Sequence, residues 1–167
     1  EIYQCDWSSD VCSSDLTGGT TLVSMDSVGR MIRPFHPVVS GWDNNGNASQ
    51  GVLKINSTLA ASNVGSHYNG TTGVFTCPVA GRYMVMTYSI GSSSGQAAHM
   101  VIVRKNGSQV SGTGYNYSAG NGYNHVSVNL IVECAANDTI DALHGYSGGG
   151  GGGFLGGYNH LAIYFLG

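Results

Sequence analysis

Six histidines, four cysteines and nine carboxylates are the groups of this 167-residue sequence able to bind a metal or move a proton. The histidines are His36, His67, His99, His125, His144 and His160. No two stand at the His-Xaa-Xaa-Xaa-His spacing that puts two imidazoles on one helix face, and none lies beside a cysteine at zinc-ligand spacing. They read as surface or interface histidines bonded to backbone. Ser92 to Ser94, between Gly91 and Gly95, reads as a plain loop and not as a nucleophile elbow. Beyond the first sixteen residues the only carboxylates are Asp26, Asp43, Glu133, Asp138 and Asp141. They are too few and too scattered to pair as general acid and base. With no convergent acid, base and nucleophile, the sequence argues against an enzyme and implies no cofactor.

Two other chemistries remain. Cys77 and Cys134 could be bonded or free: a disulfide needs Cα atoms within about 7 Å, and small buried thiols are an equally plain reading. Tyr115, Tyr117, Tyr123, Tyr146 and Tyr158 sit in or beside glycine- and asparagine-rich stretches. Tyrosines with small adaptable neighbours suit ligand binding, because they bury area at modest entropy cost. The plainer alternative is that they pack on one another or across a subunit interface.

The elements that position these groups follow from composition and period. The chain holds 27 glycines and only 15 charged residues, with Lys54 and Lys105 the only lysines. Helices need charged surfaces, whereas short strands joined by tight turns do not. No apolar run reaches the roughly 20 residues of a membrane span, and a net charge of −3 without a basic block argues against nucleic acid. Residues 68–90 are the clearest strand region. Tyr83, Val85, Thr87 and Ser89 alternate with Met84, Met86, Tyr88 and Ile90, and neither set is charged. Such a strand needs cover on both faces. Asn69-Gly70, Pro78 to Gly81, Ala135 to Asp138 and Asn106-Gly107 are turn signals, the last a two-residue hairpin. Further strands are expected at Val52 to Leu59, 98–104, Gln109 to Gly112, Val126 to Val132, Thr139 to Gly145 and Asn159 to Leu166. Loops are expected at Asp43 to Gly51, Ser62 to Ser66, Gly91 to Gly95, Tyr115 to Tyr123 and Ser147 to Gly157.

Asn63, Gly65, Tyr68, Thr72, Gly73, Phe75, Thr76, Cys77, Pro78, Val79, Gly81 and Tyr83 together resemble the signature of C1q-like globular domains. Arg104-Lys105-Asn106-Gly107 resembles the same family's core hairpin. The resemblance implies an all-β fold: a two-sheet antiparallel jelly-roll sandwich of the C1q and tumour-necrosis-factor superfamily, forming trimers and binding ligands without catalysis. It further implies that the last strand lies beside the trimer axis. His160, Ala162, Tyr164 and Leu166 are then the expected interface, and Tyr164→Asp is expected to break the trimer where Asn116→Asp is not. The resemblance leaves room for calcium at Asp138 and Asp141, or for an axial metal held by three copies of His160. Neither spacing singles out a known loop.

Residues 29–42 resemble the approach to C1q-like modules at the ends of phage tail fibres. Residues 6–16 resemble a translated sequencing adapter. The expected organisation is therefore a non-native, disordered segment at 1–16, a linker or stalk remnant at 17–34, and a C1q-like domain at 35–167 that ends as a complete domain would. Removing the four acidic residues of the first segment changes the net charge from −3 to +1. The function expected is a non-enzymatic trimeric binding head of a fibre or virion protein, recognising a cell-surface glycan or protein. A purely structural fibre cap and a secreted C1q-like lectin or adhesion protein are the alternatives. The expected location is a virion or the extracellular space.

Overall fold

The computed structural model describes residues 12–13, 24–25, 31–32, 37–43, 51–55, 62–94, 97–118, 121–147 and 152–167. The chain divides into two units, Glu1–His36 and Pro37–Gly167. In the first, β1 (Cys12–Ser13), β2 (Ser24–Met25) and β3 (Met31–Ile32) form a small antiparallel sheet in that order. Cys12 lies opposite Met25, so the stretch resembling an adapter supplies one of its three strands.

The second unit is an antiparallel two-sheet sandwich. Its strands are β4 (Val38–Asp43), β5 (Gly51–Val52), β6 (Ser62–Val64), β7 (Tyr68–Asn69), β8 (Val74–Thr76), β9 (Gly81–Ser94), β10 (Ala97–Lys105), β11 (Ser108–Ser118), β12 (Asn121–Cys134), β13 (Thr139–Ser147), β14 (Gly152–Phe154) and β15 (Asn159–Phe165). One sheet runs β12-β9-β15-β4-β6, with β14 also on β9. The other runs β11-β10-β13-β8-β7, with β5 also on β13. This is the all-β, two-sheet arrangement of a C1q-like jelly roll.

Strand β9 is the spine of the first sheet. Over its whole length it pairs with β12, and its other edge pairs first with β15 and then with β14. Alternation decides its burial: Tyr83, Val85, Thr87 and Ser89 are buried, and Met84, Met86, Tyr88 and Ile90 are half-buried. The inward set meets Val39, Leu161, Ile163, Val126, Val128 and Val132 from its own sheet, and Val101, Val103, Ile140 and Ala142 from the other. Each such aliphatic side chain contributes roughly 1.5–3 kcal/mol relative to exposure. Phe75, Tyr83 and Phe165 form a ring ladder at one end of the core, with centroids 5.8 and 5.1 Å apart.

The C1q-like signature is scaffold. Asn63 closes the Gly65-Ser66 turn by bonding both polar groups of the Tyr68 backbone, at 3.0 and 3.1 Å. The buried Tyr68 hydroxyl accepts from the Ile55 N–H (2.8 Å) and donates to the Leu53 carbonyl (3.4 Å), which holds residues 53–55 on the sandwich. Burial pushes its pKa up to about 12. Gly73 has φ +79°, and a Cβ there would lie 2.7 Å from the Leu53 carbonyl, so only glycine fits this crossing.

Several expected loops are strands. β9 runs on to Ser94, and β11 and β12 extend to Ser118 and back to Asn121, so the expected loops at 91–95 and 115–123 are largely paired. The ladder is main-chain bonding, and glycine and asparagine do not interrupt it. Ser62 to Val64, expected as a turn, pairs with Val38 to Ser40, and the turn is confined to Gly65 and Ser66. Of the strand expected from Val52 to Leu59, residues 52–55 are described: Val52 pairs with Leu143, the Leu53 N–H donates to the Ala142 carbonyl, Leu53 and Ile55 are buried and Lys54 is exposed. Residues 44–50, 56–61 and 148–151, which hold most of the first expected loop, Leu59 and most of the glycine run, lie outside the described residues.

Two predictions follow from this core. Tyr68→Phe leaves the buried Ile55 N–H without an acceptor and should cost about 1–3 kcal/mol in denaturant unfolding. His144 is buried, and desolvation lowers its pKa to about 4 from 6.5. The unfolded chain therefore binds the proton first on acidification. Stability is complete above pH 6.5 and falls as pH drops towards 4, by up to about 3 kcal/mol. His144→Leu should flatten that slope in melts taken across the window.

Candidate functional site

Residues opposite one another on neighbouring strands share a face, and this builds the outer surface of the β9 sheet. Around Tyr164, the outward row is Val38, Tyr164, Met84 and Ile131. The next is Ser40, Ala162, Met86 and Asn129, and the third is Trp42, His160, Tyr88 and Ser127. No Asp, Glu, Lys or Arg stands in any of the three. The nearest charges along β9 and β12 are Arg82 and Glu133, opposite each other one row further on. Ile131 is 54% exposed and Trp42 is 38% exposed. Ala162, walled in by its neighbours, is fully buried.

The third row is a cluster of rings. Tyr88 stacks on His160 (centroids 5.6 Å, 18° between planes), and Trp42 meets both edge-on at 5.5 and 5.1 Å. His125 lies against Tyr88 at 5.5 Å. His160 Nε2 is 3.2 Å from Ser40 Oγ, and desolvation lowers its pKa, so the ring is neutral at pH 7. Desolvation also raises the Tyr88 pKa. Of the residues expected at an interface, His160, Ala162 and Tyr164 lie on this face, and Leu166 follows the strand end, exposed. Sequence reasoning missed Trp42, Tyr88 and Met86 as partners of that set. The period-two pattern of residues 83–90 marked Met86 and Tyr88 as one face, but nothing in sequence marked Trp42.

The four tyrosines with described side chains do not form one cluster. Tyr123 is on β12, 76% exposed, on the same outward face as His125. Tyr117 is exposed on β11 of the other sheet, Tyr146 lies half-buried on β13 with its ring 6.3 Å from that of His99, and Tyr158 is exposed in the turn before β15. The side chain of Tyr115 lies outside the described residues. Asn116, expected to be neutral to substitution, donates to the His125 carbonyl at 2.9 Å and so ties β11 to β12. Aspartate would remove that donor. Gly114 permits the same approach, since a Cβ there would lie 2.5 Å from the Ser127 carbonyl.

The expected acidic pair is committed elsewhere. Asp141 takes a two-pronged bond from Arg104 at 2.7 and 3.0 Å. Asp138 accepts from Asn106 (2.7 Å) and from the Ala135 N–H (2.8 Å), and these bonds hold its pKa down. Among the described residues, no group of three or more His, Cys, Asp and Glu could hold a metal ion. Ser92 and Ser93 lie within β9 and pair with Tyr123 and Gly122, in place of the expected loop.

His160 reports on this face through Trp42. In a Trp7→Phe background, Trp42 emission should titrate with a midpoint below 6.5, the ordinary histidine value, because burial disfavours the imidazolium. The transition should vanish in His160→Gln.

The fold has known counterparts. The globular domain of zebrafish complement 1qA protein is similar at 19% identity and a TM-score of 0.58, over 78% of this chain and 96% of that one. Murine APRIL, in a crystal structure at pH 5.0, is similar at 11% identity and a TM-score of 0.58, over 78% and 99%. At these identities the likeness is one of fold. The search of curated proteins gives no match. The sequence match is to the C1q domain over residues 42–142, which takes in Trp42, the signature from Asn63 to Tyr83, the Asn106-Gly107 hairpin and the start of β13. That span is more than half of the chain, which therefore belongs to the C1q domain family, a class of non-catalytic domains.

Proposed function

We propose that this domain assembles as a homotrimer through the outward face of the β9 sheet and acts as a non-enzymatic binding head. The observation that carries the assembly is the three uncharged rows centred on β15. Met84, Met86, Tyr88, Tyr164 and Trp42 form a contiguous surface that one sandwich does not cover, and such a surface gains by closing on copies of itself. Neutral His160 adds no charge to be desolvated.

Exposed Tyr117, Tyr123 and Tyr158, outside the three rows, are the candidate ligand-binding residues, with half-buried Tyr146 a lesser one. A cell-surface glycan or protein is the ligand class that tyrosines among small polar neighbours suit. The setting proposed is a phage tail fibre or other virion or extracellular protein, on the resemblance of residues 29–42, with residues 6–16 read as adapter-derived. One observation favours a second reading. The tyrosines do not converge, as a trimer that only caps and registers a fibre would allow.

Light scattering of the full chain across a dilution series should give three times the 17.3 kDa chain mass. Met86→Asp or Tyr164→Asp would bury unpaired carboxylates in the interface and should give monomers. Thr71→Asp, in an exposed turn, should stay trimeric. A wild-type monomer, or trimers from all three variants, would remove the proposed interface. A glycan or cell-envelope ligand whose binding Tyr117→Ala weakens at least tenfold, with mass unchanged, supports the binding head. Binding unaffected by Tyr117, Tyr123 and Tyr158 substitutions leaves the fibre cap.

A further inference from the structure

Cys77 and Cys134 come from opposite sheets and meet at one end of the sandwich. Cys77 follows β8, and Cys134 ends β12. Both are free and buried, and both belong to the core cluster that holds Phe75, Tyr83 and Ile140. The two thiols pack into the same end of that core, near enough for each to perturb the ionisation of the other. Main-chain bonds fix this meeting. The Cys77 N–H donates to the Asp138 carbonyl (2.8 Å), and the Asn137 N–H donates to the Cys77 carbonyl (2.7 Å). The turn that begins directly after Cys134 is thus laced to Cys77. Asp138 braces that turn through its bonds to Ala135 and Asn106. The chain crosses between sheets twice here, at 77–81 and at 134–139, with one cysteine on each crossing.

We propose that Cys77 and Cys134 are an oxidisable pair that closes into an inter-sheet disulfide. Two buried thiols held at the same end of one core, on backbone braced by those main-chain bonds, are placed to reach disulfide geometry by side-chain rotation. The oxidant is a small-molecule disulfide such as oxidised glutathione. One cysteine thiolate attacks it, forming a mixed disulfide and expelling one glutathione thiolate. The second cysteine thiolate attacks the protein sulfur of that mixed disulfide and expels the other. Two protein thiols are oxidised, two glutathione thiols are formed, and the two thiol protons end on them. Burial raises both thiol pKa values, so the folded pair reacts slowly. Closure is fastest during folding in an oxidising compartment or when the 135–138 turn opens.

The sequence makes the test clean, because trypsin places the cysteines in separate peptides: residues 1–30 carry Cys5 and Cys12, residues 55–82 carry Cys77, and residues 106–167 carry Cys134. The full chain is refolded with excess oxidised glutathione, alkylated and digested without reduction. The expected product is peptide 55–82 joined to peptide 106–167, lighter by two hydrogens than their sum. The oxidised chain should melt about 5–10 °C above the reduced one, because the bond closes a long loop. That shift should be absent in Cys134→Ser and in Cys77→Ser. Recovery of both peptides alkylated or glutathionylated, or a cross-link to peptide 1–30, would overturn the proposal, whether or not either serine variant folds.

Discussion

Strand β9 is hydrogen-bonded along both edges and, beyond Arg82, uncharged on both faces, and most of the domain follows from meeting those four demands. Its edges are met by β12 on one side and by β15 and β14 on the other. Its inward face is met by the second sheet, with Tyr83 and Val85 fully buried. The outward face is met only in part within the chain: Met84, Met86 and Tyr88 remain half-buried beside β15 and β4. A strand that alternated apolar with Lys or Glu would finish the fold as a monomer. This one alternates apolar with apolar, and among the described residues of its unit the outward face stays half-buried.

The residues that mark the family do a different task from those that face outward. Asn63, Gly73, Tyr68 and Tyr83 close turns, permit crossings or bridge buried backbone. The Tyr83 hydroxyl, for instance, donates to the Val79 carbonyl at 2.8 Å and secures the bend that leads into β9. Scaffold of this kind fixes where β15 lies and leaves its outward side chains free to differ between members. It explains why fold membership leaves the ligand open.

What was legible in the sequence divides along the same line. Period-two alternation in 83–90 and the Asn106-Gly107 turn, with φ of +50° and +76°, are local properties, and local properties can be read from a string. The loops expected at 91–95 and 115–123 were misjudged because glycine, serine and asparagine report side-chain preference, whereas those segments are held by main-chain ladders to distant partners. The ring cluster was hidden for a stronger reason. Trp42, Tyr88 and His160 come from β4, β9 and β15, and only the register of three strands brings them into one row. Cys77 and Cys134 were left undecided for the same cause, since their meeting depends on turns bonded across 57 positions of sequence (134 − 77).

The inward face of β9 also changes character along its length, and this divides the sandwich into two ends. Near Tyr83 the neighbours are Phe75, Phe165, Cys77 and Cys134, an apolar end with its aromatic ladder. Beyond Val85 the inward residues become Thr87, Ser89 and Gly91, and the core around them takes up His99, Asn124, His144 and Asn159. Gly91 gives way to the His99 ring, which would lie 2.2 Å from a Cβ there. Phe154 stacks on His144 at 4.1 Å and meets His99 edge-on at 5.6 Å. Ser89 Oγ and His144 Nδ1 are buried with no hydrogen-bond partner among the described residues, and Asn124 is 3.0 Å from His99 Nδ1. Unpaired buried polar atoms cost free energy that apolar packing at the other end does not. The same strand thus carries a firm end and a weak one. Acid acts on the weak end, where both histidines are held neutral by burial. The cysteine pair lies at the firm end, so a disulfide there would strengthen what is already strong and leave the acid response in place.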